Sequence, residues 1–135
     1  MEKLLLTVIT IFILVGCQSP KGGLVLNAIS KISISESEGY GGLNENYFTT
    51  IDSEEMVQVF EEVVKSTVQT NGIVKKNRPD FDILVQYADG STHGLHLSLG
   101  NEGDESILMY VGHESTTYIV RPDGTEKLRQ MIETE

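Results

Sequence analysis

The chain has 135 residues, the length of one domain rather than two, and 39% of them are apolar. Its 20 acidic and 10 basic residues leave a net charge of -10, spread along the sequence, which excludes a protein that holds nucleic acid or anionic headgroups through its overall charge. A single cysteine excludes an intramolecular disulfide.

The first element is the run MEKLLLTVITIFILVGC at residues 1–17. Leu4 to Val15 is mostly apolar, yet a helix of that length rises only about 18 Å against a hydrocarbon core of about 30 Å. It has the length of a signal-peptide apolar region rather than of a span. Leu14-Val15-Gly16-Cys17 then resembles the lipobox of bacterial lipoproteins. The resemblance implies cleavage between Gly16 and Cys17 and a diacylglycerol on the Cys17 thiol, which anchors the chain to the membrane. Removing the first 16 of 135 residues leaves 119. Residues 17–23 then form the lipidated cysteine and a polar tether, QSPKGG, and residues 24–135 a single domain.

In Leu24 to Ser35, Leu24, Leu26, Ala28, Ile32 and Ile34 fall on even positions, which predicts one half-buried strand or two short ones. Glu36 to Asn46 is a Gly-rich loop, and Tyr47 to Ile51 has strand composition. A helix follows, capped by Asp52 or Ser53, with capping-box spacing from Asp52 to Glu55. Met56, Val59, Phe60, Val63 and Val64 form its apolar stripe, which takes in Val68 if the helix runs to the stop signal Asn71-Gly72. Phe81 to Tyr87 and His93 to Leu99 alternate on either side of Asp89-Gly90, a hairpin signal. Ser106 to Gly112 and Thr116 to Val120 read as two more strands, and Pro122 opens a last helix carrying Leu128, Met131 and Ile132. Hairpin-linked strands without regular βαβ alternation predict an α+β fold. Its sheet is mostly antiparallel, with five to six strands in the order ββαββββα and both helices on one face.

With these blocks in view, ISISESEGYGGLNENYF, SEEMVQVFEEVVKSTV, GIVKKNRPDFDILVQYADGSTHGLHLSLG and TTYIVRPDGTEKLRQMI together resemble the YhfM-like domain of small Bacillus-type lipoproteins. The resemblance runs from about Ile29 to Ile132. It implies a lipid-anchored extracytoplasmic domain in a Gram-positive setting, between membrane and wall, and transfers no catalytic residue.

The candidate chemistry is sparse. His93 and His96 are three apart, so on a strand they point to opposite faces and do not share an ion; His113 lies further on. No Cys or HExxH pattern supports a metal site, and none is expected. Asn101-Glu102-Gly103-Asp104-Glu105 lacks the EF-hand pattern and reads as a solvated hairpin tip. Lys75, Lys76 and Arg78, the only basic cluster, read as a solvated loop. Gly39-Tyr40-Gly41-Gly42 is flanked by Glu36, Glu38 and Glu45 and leads into a strand, which disfavours phosphate. Tyr40, Gly41, Gly42 and Tyr47 instead mark a contact loop. GxSxG, Walker and CxxC motifs are missing, so no catalytic residue or cofactor is assigned. The expectation is a binding module of unknown ligand. It is held by Cys17 on the outer face of the cytoplasmic membrane and meets a protein or envelope partner, not nucleic acid. The alternative is a small envelope hydrolase or wall-modifying enzyme using His and carboxylates, which a cleft joining His93, His96 or His113 to an Asp or Glu would favour.

Overall fold

The computed structural model describes residues 23, 24, 26, 28–71 and 78–134. The expected signal peptide, Cys17, most of its tether, Gly72, Lys75 and Lys76 lie outside the described residues. The elements are β1 (Ile29–Glu36), β2 (Thr49–Ile51), α1 (Glu54–Lys65), β3 (Val68–Thr70), β4 (Phe81–Tyr87), β5 (Thr92–Ser98), β6 (Ser106–Tyr110), β7 (Thr117–Val120) and α2 (Pro122–Glu133). The strands form one seven-stranded sheet in the order β2-β1-β4-β5-β6-β7-β3. Among the described residues every pairing is antiparallel and there are two helices, so the fold is α+β.

The seventh strand, β3, corrects the expected count. Val68 stands four residues after the buried Val64 and so falls into the helical stripe of the sequence, yet the helix stops at Lys65. Two hydroxyls end it by turning back on its last carbonyls: Ser66 Oγ donates to Glu62 O at 2.9 Å and Thr67 Oγ1 to Val64 O at 2.7 Å. Val68 then pairs with Ile119 across β7 and is 51% exposed. At the other end of α1, Ser53 rather than Asp52 is the cap, its side chain accepting Met56 N–H at 3.3 Å, so no Asp52–Glu55 box forms. The buried stripe is Val57, Phe60, Val63 and Val64, with Met56 and Val59 only half-buried.

β1 also departs from simple alternation. Ile29 lies opposite Tyr87 while Lys31 lies opposite Gln86, so two residues of β1 answer one of β4. This bulge at Ser30 changes the parity of the strand. Ile29 therefore reaches the same core as Ile32 and Ile34. Ala28, just before it, adopts a positive φ of 57°, and its carbonyl accepts Ala88 N–H at 2.8 Å. Leu24 and Leu26 are buried without belonging to a strand, and Leu24 N–H donates to Thr67 Oγ1 at 3.0 Å.

Both helices cover one face of the sheet. Phe60, Val63 and Val64 of α1 and Leu128 and Met131 of α2 close over Ile32, Ile34, Ile83, Val85, Leu95, Leu97, Leu108 and Val120. Each fully buried large aliphatic or aromatic side chain contributes roughly 1.5–3 kcal/mol. Gly124 lets α2 approach β7: a Cβ there would stand 2.6 Å from Val120 Cγ1. That layer leaves the opposite face of the sheet to be covered by something else, and the β1–β2 connection covers it.

Candidate functional site

The opposite face is set by the register of the β4–β5 hairpin. Tyr87 N–H donates to Ser91 O at 2.9 Å and Gly90 N–H to Tyr87 O at 3.0 Å, with Gly90 at φ 87°. The loop thus holds three residues, Ala88 to Gly90, and the glycine supplies the left-handed position that this turn needs. In this register Asp82 lies opposite His96, and Val85 opposite His93. Asp82 and His96 point away from the helices, and both are fully buried.

Asp82 and His96 are hydrogen-bonded. His96 Nδ1 lies 2.7 Å from Asp82 Oδ1, and Asp82 Oδ2 accepts the backbone N–H of Asn44 at 2.8 Å. The carboxylate therefore orients the imidazole through Nδ1 and leaves Nε2 facing outward from the sheet. Among the described residues Nε2 has no hydrogen-bond partner; Glu114 Oε1, from the turn between β6 and β7, lies 3.6 Å away. A buried polar atom left without a partner is uncommon and marks a place where chemistry or binding is worth seeking.

The loop between β1 and β2 is the roof of this site. Ser35 Oγ donates to Asn44 O at 2.6 Å, and Asn44 Nδ2 donates to Glu36 O at 2.8 Å. Leu43 rests on Gly94, where a Cβ would stand 2.9 Å from Leu43 Cδ1. Tyr40 stands edge-on over the His96 ring, with centroids 5.5 Å apart, yet its side of the loop is open and the residue is 44% exposed. Gly39 and Gly41 take φ of 119° and 122°, and nothing stands within 4 Å of a Cβ at Gly39, Gly41 or Gly42. Tyr47 is half-buried, and Phe48, 38% exposed, meets Phe81 edge-on. Tyr40, Gly41, Gly42 and Tyr47 thus belong to one clamped loop, with Tyr40 at its surface.

The charges around the loop are negative. Burial and then Glu114 push the Tyr40 phenol above its ordinary value. Burial, then Glu45, then Asp82 do the same at Tyr47. Glu114 itself is held below the ordinary glutamate range, chiefly because Gly112 N–H donates to Oε1 at 2.9 Å, with the imidazoles of His96 and His113 adding to the effect. Both phenols keep their protons at neutral pH, and Glu114 keeps its charge.

The remaining sequence candidates fall elsewhere. His93 is on the helix side of the sheet, at its uncovered end, where Nδ1 bonds the Tyr87 hydroxyl at 2.7 Å. Its ring continues a row of edge-on contacts from Tyr87 through His93 and Tyr110 to Tyr118. Burial, with Tyr110 and Asp89, pushes the Tyr87 phenol up to about 12. His113 is exposed in the β6–β7 turn, and Asn101 to Glu105 form an exposed turn. Arg78 donates from Nε and Nη2 to Ser37 O at 3.2 and 2.5 Å, which spends the guanidinium on the base of the loop. Sequence reasoning missed Asp82, Asn44 and Glu114. The available signal was the strand parity of Asp82 and His96, both on the side of their strands away from the apolar positions.

A family model for the YhfM protein matches residues 26–135. A comparison with curated proteins found no match. Among solved structures, the crystal structure of a thioesterase-like protein from Clostridium sporogenes superposes with a TM-score of 0.61 at 12% sequence identity, over 83% of this chain and 100% of that one. At that identity the likeness is one of fold. The family match covers the whole sheet, both helices and the clamped loop, and on it the chain belongs to the YhfM family.

Proposed function

We propose that the chain is a lipid-anchored extracytoplasmic binding module, held on the outer face of the cytoplasmic membrane by a diacylglyceryl group on Cys17, and that the loop from Gly39 to Tyr47 is its contact surface. The observation that supports this reading is the loop itself. Its backbone is fixed to Asp82 through Asn44, while its tip presents Tyr40 to solvent. A surface that is ordered before a partner arrives loses less entropy on binding, and an aromatic side chain on a fixed backbone is the usual anchor of such a contact. Crosslinking in intact cells tests it. The chain and a Tyr40→Ala, Tyr47→Ala variant should differ in the partners captured, and identical captures would remove the loop from the function. Mass spectrometry of the membrane-extracted protein should find an acylated N-terminal Cys17; an intact Met1 would overturn the anchor.

A second reading, a small envelope hydrolase, is favoured by one observation: Asp82 orients His96 and leaves Nε2 free of a hydrogen bond. That is the arrangement of a general base awaiting a water or a hydroxyl. The fold relative is a thioesterase-like protein, so acyl thioesters and esters are the substrates to try. Turnover of an acyl thioester by the purified chain that disappears in His96→Asn would establish this reading, and equal background rates for both would end it.

A further inference from the structure

We infer that the partner of the contact loop is a basic protein segment, one that offers lysine or arginine side chains in an extended stretch. The inference rests on the binding reading above and adds the chemistry of the partner. Between Lys31 and Lys65 the sequence carries eight carboxylates and no lysine, arginine or histidine. Glu36, Glu38 and Glu45 are exposed on the loop, and Asp52, Glu54 and Glu55 are exposed where β2 hands over to α1. The loop is also where the apolar surface is. Among the described residues the exposed large hydrophobic side chains are Tyr40, Phe48 and Val68, and two of these stand on this connection.

Carboxylates interleaved with exposed aromatic rings suit a cation on an aliphatic stem. The ring face attracts an ammonium or guanidinium, the stem lies along the apolar surface, and the carboxylates neutralise the head. The same field repels an acidic partner and speeds the encounter with a basic one. A third observation lies beneath the rings. His96 Nε2, fully buried under Tyr40, has no hydrogen-bond partner among the described residues, and Glu114 stands 3.6 Å from it. Glu114, which also acts electrostatically on the Tyr40 phenol, thus adds a carboxylate from the β6–β7 turn to the field that an arriving cation meets.

The test uses the full chain in non-ionic detergent and two fluorescein-labelled peptides, one alternating Lys and Ser, the other Glu and Ser. Fluorescence anisotropy at about 0.15 M salt, where the Debye length is about 8 Å, should show binding of the lysine peptide alone. The pair Glu38→Gln with Glu45→Gln, and the pair Tyr40→Ala with Phe48→Ala, should each weaken it at least tenfold. The control pair Glu102→Gln with Asp104→Asn removes the same charge from the exposed β5–β6 turn and should change it less than twofold. An equal loss in the control would mean attraction by overall charge and would overturn the inference, as would binding indifferent to the loop variants. The cellular crosslinks separate the two claims. Loop-dependent crosslinks without lysine-peptide binding would leave the contact surface standing and refute the basic partner. Loop-independent crosslinks would refute both.

Discussion

Asp82 holds two groups with one carboxylate. Through Oδ1 it orients His96, through Oδ2 it holds the backbone of Asn44, and it does so with no solvent access. Removing one member of a buried, hydrogen-bonded pair costs about 3–5 kcal/mol, because the other members keep their desolvation penalty. Asp82→Ala should therefore lower the unfolding free energy by that amount, read as a lower urea midpoint with an unchanged m-value, while Asp82→Asn, which keeps one acceptor for Asn44, should lose less. Glu114 gives a pH prediction. Its folded-state value lies below the ordinary 4.5, so its contribution is complete above that pH and is lost as the pH falls through the folded value. The Gly112 amide, which donates to Glu114, should show an acid transition below the ordinary glutamate range by NMR. Glu114→Gln should abolish it. The residue-level site was only half legible. Asp89-Gly90 announces a hairpin, but a two-residue turn there would set Asp82 against Leu97. The observed three-residue loop sets it against His96. A one-residue difference in turn length decides which side chains meet, and composition does not carry it.

Among the elements, the β1–β2 connection is clamped onto the sheet, and Gly94 beneath Leu43 is one of its supports. A methyl at Gly94 would stand 2.9 Å from Leu43 Cδ1 and 3.1 Å from Val111 Cγ2. Gly94→Ala should cost about 1–3 kcal/mol by overpacking. The loss should concentrate in the loop, read as faster hydrogen exchange at Asn44 with core amides unchanged. The boundary between α1 and β3 supplies a sharper contrast. Phe60 is buried and Val68 is half in solvent. Phe60→Ala should cost about 3–5 kcal/mol, whereas Val68→Lys should stay within about 0.5 kcal/mol. Val68 on the buried stripe of a longer helix would respond far more strongly, so urea titration of the pair tests the strand directly. The helices and the long strands β4 and β5 were legible because periodicity runs over many residues. β3 has three residues and an apolar one in helical register, so its strand character comes from its pairing with β7 alone.

At the scale of the whole molecule, the charge is as informative as the fold. A net charge of -10, with eight carboxylates and no cation in one continuous stretch from the loop into α1, puts a repulsive field around the molecule. Raising the salt from about 0.01 M to about 1 M shortens the Debye length from about 30 to 3 Å. The urea midpoint should rise over that range as self-repulsion is screened, and a fall would mean that attractive pairs outweigh it. The α+β class and the placing of both helices on one face followed from the order of the periodic segments. That the second face is roofed by a glycine-rich loop did not follow, because a loop without periodicity gives no hint of what it rests on.

The bond from Leu24 N–H to Thr67 Oγ1 has a directional meaning. Gly23 is pinned beside it, since a Cβ there would stand 2.4 Å from Lys65 O. The chain therefore enters the molecule on the helix side, at the end of α1 and next to the edge strand β3. The roofed face looks the other way. Gly23 therefore sits behind the sheet, which acts as a partition between it and the exposed ring of Tyr40.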